Sequence, residues 1–131
     1  MIGLDTHVRV RYVLQDDARQ SPRVSRLIES LSVDEPGFVP VVTVVELAWV
    51  LGAGYKLPRV QLAAVLETLL RCKALVIDRA DLVMQALARF SPGSADFADA
   101  LIERTAAAAG CKSTMTFDPG AAKAAGMTLV P

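Results

Sequence analysis

The sequence is poor in cysteine, histidine and aromatic residues, and it has no long apolar run. It contains two cysteines, one histidine, one tryptophan, two tyrosines and four phenylalanines. Cys72 and Cys111 lack a Cys-x-x-Cys spacing, which argues against a zinc site. The few aromatics disfavour a stacking platform for single-stranded nucleic acid. Because no apolar stretch approaches the roughly 20 residues of a membrane span, we expect a cytoplasmic, reduced protein with both cysteines in its core.

The chain also has no excess of charge of either sign. Lys and Arg together number 14, as do Asp and Glu, so bulk positive charge is not what would hold a nucleic acid. The 131 residues, 53% of them hydrophobic, fit one globular domain over 1–131. If several carboxylates were gathered into one pocket, the remaining surface would be mildly basic, which suits a polyanionic ligand attacked at a metal.

Short apolar runs alternate with helix-forming segments along the whole chain. The strand-like runs are residues 2–5, 38–42, 74–77, 113–117 and 127–130. Helices are predicted from a cap at Thr6, from Ser21-Pro22, from Thr43, from Pro58, over 79–90, and over 96–109 with Ser94 as the cap. This order predicts an α/β fold with a mostly parallel sheet and helices on both of its faces.

Acidic residues follow the predicted strands. Asp5 and Asp118 each end an apolar run, and Glu46 lies one helical turn beyond another. Asp96 and Asp99 are three residues apart and share one face of a helix. Ligands in parallel sheets bind outside the carboxyl ends of the strands. Two carboxylates about 4 Å apart repel by about 4 kcal/mol at an effective dielectric near 20, so a convergent set predicts a divalent cation, most naturally Mg²⁺.

Each of these acids also has a purely structural explanation, and Asp5 could simply cap a helix or end a strand. Glu46 completes the pattern Thr43-x-x-Glu46, a helix capping box. Asp96 and Asp99 suit the positive end of a helix dipole, and Asp118 precedes a Pro-Gly turn. Asp96 is the acid that we place outside the first ligand shell or at a second metal.

Four blocks of the sequence resemble the PIN-domain ribonucleases, and among them the VapC-type toxins of type II toxin–antitoxin systems. Residues 2–8 read IGLDTHV, residues 41–47 read VVTVVEL, residues 96–102 read DFADALI and residues 116–118 read TFD. The blocks occur in the family's order and extend over most of the chain.

The resemblance implies a three-layer α/β/α fold with a central, mostly parallel sheet of about four to five strands. It implies RNA hydrolysis with Mg²⁺ or Mn²⁺, with Asp5, Glu46, Asp99 and Asp118 as the catalytic and metal-binding residues. It also implies a homodimer and a small antitoxin protein that blocks the site. Since no helix-turn-helix is recognised in the sequence, DNA binding would need a partner.

Other residues are predicted to support this site. Thr6 and Thr116 flank the ligand candidates and can hydrogen-bond them or a metal-bound water, and His7, the only histidine, lies beside Asp5. Arginines of the first two helices are expected on an exposed face, where they would contact the RNA backbone. They are Arg9, Arg11, Arg19, Arg23 and Arg26.

Two departures from the family pattern favour an alternative, a catalytically weak or inactive PIN-like module that binds RNA or protein. Position 7 is His where the family most often has Asn, and Pro119-Gly120 follows Asp118. A haloacid-dehalogenase-like phosphatase is disfavoured because it needs Asp-x-Asp after the first strand, where His7 stands. A phospho-receiver would need paired acids there and a lysine after its last strand.

Overall fold

The structure is a computed structural model that describes all residues from 1 to 131. Contacts divide the chain into two compact units, Met1–Ala80 and Asp81–Pro131. A single domain over 1–131 therefore stays a prediction. None of the helices has both the length and the apolar character needed to cross a membrane.

The first unit contains a three-stranded parallel sheet and four α-helices. Its strands are β1 (Ile2–Gly3), β2 (Gly37–Val39) and β3 (Leu75–Ile77), in the spatial order β1-β2-β3. Its helices are α1 (Thr6–Leu14), α2 (Gln20–Glu29), α3 (Val41–Trp49) and α4 (Arg59–Arg71), and a π-helical segment (Val50–Gly54) extends α3. Successive parallel strands are thus joined through helices, as the alternation predicted.

Strand β2 is shorter than predicted because Pro40 follows it. Proline has no N–H to donate to a sheet ladder, so the strand ends at Val39 and α3 begins at Val41. The N-terminus of α3 is capped by Asp78, whose Oδ2 accepts a hydrogen bond from the Val41 N–H over 3.1 Å. The predicted helix start at Thr43 is wrong, and so is the predicted capping box.

Two other predicted helix caps are also wrong. Asp5, not Thr6, is the N-cap of α1, and Thr6 is the first helical residue. Helix α2 begins at Gln20 rather than after Ser21, because the Asp17 carboxylate already accepts hydrogen bonds from the backbone N–H groups of Arg19 and Gln20, at 2.9 and 2.6 Å.

The second unit contains three helices and a two-stranded parallel sheet. They are α5 (Ala80–Phe90, beginning at the last residue of the first unit), α6 (Phe97–Ala108), β4 (Met115–Thr116), α7 (Pro119–Ala124) and β5 (Thr128–Leu129). The N-cap of α6 is Asp96 rather than the predicted Ser94. Helix α7 replaces the predicted Pro-Gly turn, with Asp118 as its N-cap and proline at its first position.

Each unit has its own apolar core. Side chains that are essentially inaccessible in the first unit include Val10, Val39, Val44, Leu47, Leu51, Leu66 and Leu69, and in the second unit Leu82, Val83, Ala86, Ala100 and Ala125. The cysteines are not among them, since Cys72 is partly exposed and Cys111 is exposed. Our placement of both cysteines in the core is therefore wrong. Both are free thiols, as predicted.

The α/β fold class is confirmed, and all strand pairs are parallel. The strands number five in total, but they form two sheets, of three and two strands, in place of one central sheet. The two sheets belong to different units. The alternation of strands and helices along the chain does not indicate which strands share a sheet, so this division was not predicted.

Candidate active site

Asp5 follows strand β1 and turns the chain into helix α1. Its Oδ1 accepts a hydrogen bond from the backbone N–H of Thr6 over 2.8 Å. This interaction fixes the carboxylate at the N-terminus of α1, where the helix dipole favours negative charge. The Asp5 side chain is exposed, so the carboxylate is held in place and remains accessible to a ligand.

Glu46 is linked to the same edge of the sheet by a threonine. The Thr6 side chain is only 1% exposed, and its hydroxyl donates a short hydrogen bond to Oε1 of Glu46 on α3. Thr43 adds a second contact between α3 and the end of β1, because its hydroxyl lies 3.4 Å from the carbonyl oxygen of Leu4. The first unit therefore brings Asp5, Thr6 and Glu46 together at the carboxyl ends of β1 and β2.

In the second unit, two aspartates cap the helices that follow them. Oδ2 of Asp96 accepts the N–H of Asp99 at 3.1 Å, and Oδ1 of Asp118 accepts the N–H of Gly120 at 2.8 Å. Thr116 contributes as well, since its Oγ1 accepts the backbone N–H of Asp118 at 3.0 Å. Each capping carboxylate still has an oxygen that is not used by its cap.

Asp99 is an acid whose pKa is raised above its ordinary value. Together with Asp96 and Asp118 it lines a cavity of about 210 Å³, whose wall also includes Ser94 and Lys123. Burial raises the pKa of Asp99, and the negative charges of Asp96 and Asp118 raise it further. A cation bound beside these three carboxylates would relieve that repulsion.

The five predicted metal ligands thus fall into two groups, one in each unit. No group of three or more Asp, Glu, His or Cys side chains is arranged so that it could hold a metal ion. The donors are nonetheless all carboxylate oxygens, which is the chemistry that Mg²⁺ and Mn²⁺ prefer. The complete ligand set stays a prediction.

His7 lines a groove between α1 and α2. This groove has a volume of about 390 Å³, and its polar rim includes His7, Arg11, Gln20 and Arg23 above an apolar floor. Arg11 is held in place by Asp16, whose Oδ1 is 3.1 Å from its Nη1. The groove therefore carries positive charge close to the start of α1.

The arginines of the first two helices do not form one exposed face. Arg19, Arg23 and Arg26 are exposed as predicted, but Arg9 is only 5% exposed. The prediction that Arg9 lies on an exposed face is therefore wrong, since it lines a groove between α1 and α4 instead, and its contact with RNA stays a prediction.

One strand-end carboxylate was not selected from the sequence. Asp78 directly follows β3, at the same edge of the sheet as Asp5, and its Oδ2 caps α3. The rule used for the other acids, a carboxylate after an apolar strand, would also have found Asp78. Its hydrogen bond to Val41 gives it a role in orienting the helix that carries Glu46.

The molecule is thus an α/β protein with parallel strands, in which carboxylates lie at the strand ends and at the helix N-termini. The sequence matches the PIN domain family over residues 2–127, and the chain belongs to this family. PIN domains are generally nucleases that typically use divalent metal ions, so the chain has a nuclease-type fold and is grouped with the hydrolases. No curated protein and no solved structure matches the chain.

Proposed function

We propose that this protein is a Mg²⁺- or Mn²⁺-dependent endoribonuclease that hydrolyses RNA phosphodiester bonds. The observation that carries the proposal is the pKa of Asp99, which burial and the charges of Asp96 and Asp118 raise. These three acids line one cavity, and a divalent cation bound there would offset the repulsion that Asp99 experiences. Membership of a nuclease family supplies the reaction class.

The metal-binding residues in this proposal are Asp5, Asp99 and Asp118, with Glu46 bound directly or through a water. Asp96 has one oxygen engaged in capping α6, which suits an outer position. When bound, the metal ion would activate water and stabilise the negative charge that develops on the phosphate.

Thr6 and Thr116 would position two of these acids. Thr6 restrains Glu46 through its hydroxyl, and Thr116 restrains the backbone at Asp118. Such contacts reduce the rotamer freedom of a ligand before the metal binds, and removing an outer partner of this kind typically lowers metal affinity or activity by about 10- to 100-fold.

The groove between α1 and α2 is the proposed track for the RNA backbone. Arg23 is exposed at its rim, and Arg11 and His7 line it. Because α1 starts beside Asp5, a phosphate held by these cations would lie one or a few nucleotides from the acids of the first unit. Arg19 and Arg26 would add weaker, screened attraction from the same region.

The first experiment is a calorimetric titration of Mn²⁺ into the wild-type protein and Asp99→Asn, followed by incubation of both with mixed-sequence RNA. We expect saturable binding that weakens at least about tenfold in the variant, and cleavage that is lost in Asp99→Asn and Asp5→Asn. Asp34→Asn, an exposed acid in a loop outside both groups, is the matched control and should behave like the wild type. Cleavage at the wild-type rate by either active-site variant would refute the assignment.

In the cell, we propose that the protein is the cytoplasmic toxin of a type II toxin–antitoxin pair, active as a homodimer and blocked by a small antitoxin protein. Induced expression of the wild-type chain should arrest growth, and induced Asp99→Asn at the same level should not. Co-expression of the product of an adjacent small reading frame should restore growth. Equal growth with wild-type and variant chains would argue against the toxin role while leaving the nuclease proposal open to the RNA assay.

A second candidate function is a binding module without turnover. It is favoured by the absence of three potential ligands in metal-binding geometry and by the use of Asp96 and Asp118 as helix caps. RNA binding that is retained in Mn²⁺ without any cleavage would support it. Metal-dependent cleavage that Asp99→Asn abolishes would exclude it.

A further inference from the structure

A buried arginine on α1 has no partner for part of its guanidinium. Arg9 is 5% exposed, yet its Nε, which is inaccessible to solvent, makes no hydrogen bond. None of the ion pairs of the chain involves Arg9. Buried arginines are rare unless they are paired, because the guanidinium loses its hydration and gains nothing in return.

The neighbours of Arg9 within the chain do not balance its charge. Its Cζ lies 5.3 Å from the centroid of the Tyr12 ring, an attractive cation–π contact that leaves the Nε–H without a hydrogen-bond partner. Burial lowers the pKa of Arg9, and the nearby Cys72 and Tyr12 side chains raise it less. Neither of these residues has a carboxylate that could pair with the guanidinium.

Arg9 lines a groove between α1 and α4. The groove has a volume of about 320 Å³, and it is lined by Arg9, Tyr12, Val13, Ala64, Val65 and Thr68. Its walls are aliphatic or aromatic apart from two hydroxyls, and Arg9 is the only charged residue among them. The groove is separate from the one that carries His7, Arg11 and Arg23, because no residue lines both.

A ligand that matches this groove has one negative charge on an apolar body. RNA does not match, since consecutive phosphates need several cations along a track and this groove offers one buried guanidinium. A carboxylate matches the planar donor fork of arginine, and aliphatic groups beside it would cover Val13, Ala64 and Val65. The occupant is therefore a carboxylate flanked by apolar side chains, as found on one face of an amphipathic helix.

We propose that the α1–α4 groove docks a helix of a partner protein, and that Arg9 binds a single Asp or Glu carboxylate on its apolar face. A helix lying between two surface helices is a common recognition mode. The charge complementarity makes Arg9 a specificity determinant, because a partner with a neutral residue at that position would leave the guanidinium unpaired. The site is distinct from the acids and does not depend on the proposed nuclease activity.

The test uses a stapled helical peptide whose Leu- and Ala-rich face carries one central Glu, and a matched peptide with Gln in its place. Fluorescence anisotropy would be measured with wild-type protein, Arg9→Met, Arg9→Lys and Cys72→Ser. We expect wild-type protein and Cys72→Ser to bind the Glu peptide at least about tenfold more tightly than the Gln peptide. Arg9→Lys should show a smaller preference and Arg9→Met none. Circular dichroism establishes that each variant is folded.

Four results would overturn the proposal. The first is equal affinity for the two peptides, including no measurable binding of either up to millimolar concentration, and the second is a preference for Glu that persists in Arg9→Met. The third is isovalerate binding as tightly as the Glu peptide, detected by NMR at the Arg9 Nε–H, which would make the groove a small-molecule carboxylate site. Sedimentation of wild type and Arg9→Met tests a second copy as the occupant. The fourth is self-association that Arg9→Met abolishes, which would replace the partner protein by this chain itself. The same oligomeric state in wild type and Arg9→Met is the expected result, because the proposed homodimer does not use this groove.

Discussion

Replacing Thr6 by Val tests whether the threonine hydroxyl positions Glu46. The side chain is buried and nearly the same shape as valine, and valine has a similar helix propensity. The substitution therefore removes one hydrogen bond to a carboxylate, with little change in packing. Hydrogen bonds to charged groups contribute about 1.5–3 kcal/mol, but the exposed Glu46 can turn to water, so we expect a loss of about 1–2 kcal/mol in the free energy of unfolding. For a chain of this length this corresponds to a decrease of about 4–7 °C in Tm.

The measurement is thermal and urea unfolding, followed by circular dichroism in EDTA, for wild type, Thr6→Val, Glu46→Gln and the double variant. A double-mutant cycle isolates the interaction of the two side chains from their other contacts. We expect Thr6→Val to lower the free energy of unfolding clearly less in the Glu46→Gln background than in the wild-type background. Thr6→Ser keeps the hydroxyl and serves as the control for loss of the buried methyl group.

Additive effects of Thr6→Val and Glu46→Gln on the free energy of unfolding would refute this reasoning. They would mean that Thr6 contributes through packing and that its contact with Glu46 is energetically neutral. If the coupling is present, the same variant should also lower Mn²⁺ affinity or RNA cleavage, while Thr6→Ser should retain both.

Three further predictions concern the stability of the protein in the absence of metal. The pKa of Asp99 is raised in the folded state, so the stability that this group contributes is greatest below the ordinary aspartate pKa and falls as the pH rises through the raised value. In this pH range, Asp99→Asn should therefore make Tm depend less on pH than it does in the wild type. An unchanged slope of Tm against pH would contradict this prediction. Arg89→Met should lower the free energy of unfolding in urea by about 1–2 kcal/mol, because Nη1 of Arg89 contacts both the Ala125 carbonyl oxygen at 2.6 Å and the Glu103 carboxylate at 3.2 Å, while Glu103 keeps its ion pair with Arg104. A loss of the same size in the Glu103→Gln background would assign the effect to the Ala125 contact, and no loss in either background would contradict this account. Asp78→Ala should lower the free energy of unfolding by about 1 kcal/mol in the same assay, because it removes the cap of α3. Asp78→Asn should lower it by less. Equal losses in the two variants would contradict the capping role.

Local sequence signals predicted the elements of this fold better than their boundaries. The apolar runs and the alternation with helices identified the strands, and the strand ends identified Asp5 and Asp118. The start of α3 was wrong because its cap, Asp78, lies 37 residues away along the chain, which no local pattern can reveal. Helix α7 was different, since an Asp cap followed by proline is itself a helix-start signal that was interpreted as a turn.

The same limit applies to Arg9 and Glu46. Arginines that recur along two early helices indicate a charged surface, and only the packing of α4 beside α1 shows that one of them is buried. The pattern Thr43-x-x-Glu46 indicates a capping box, but Glu46 instead accepts a hydrogen bond from the hydroxyl of Thr6, which lies on a different helix. In both cases the deciding contact is tertiary, and it competes successfully with the local preference.

Two places in the molecule keep charge that the chain itself does not balance, and their signs are opposite. Burial and the neighbouring carboxylates of Asp96 and Asp118 raise the pKa of Asp99, while Arg9 is buried and forms no ion pair with a carboxylate. Apolar residues could satisfy either position at lower electrostatic cost, because uncompensated charge near or inside a core is destabilising. The proposed metal ion would offset the charge at the first position, and the proposed partner carboxylate would offset it at the second. We therefore expect the metal and the partner carboxylate to stabilise the folded protein separately, since neither ligand has a residue in common with the other.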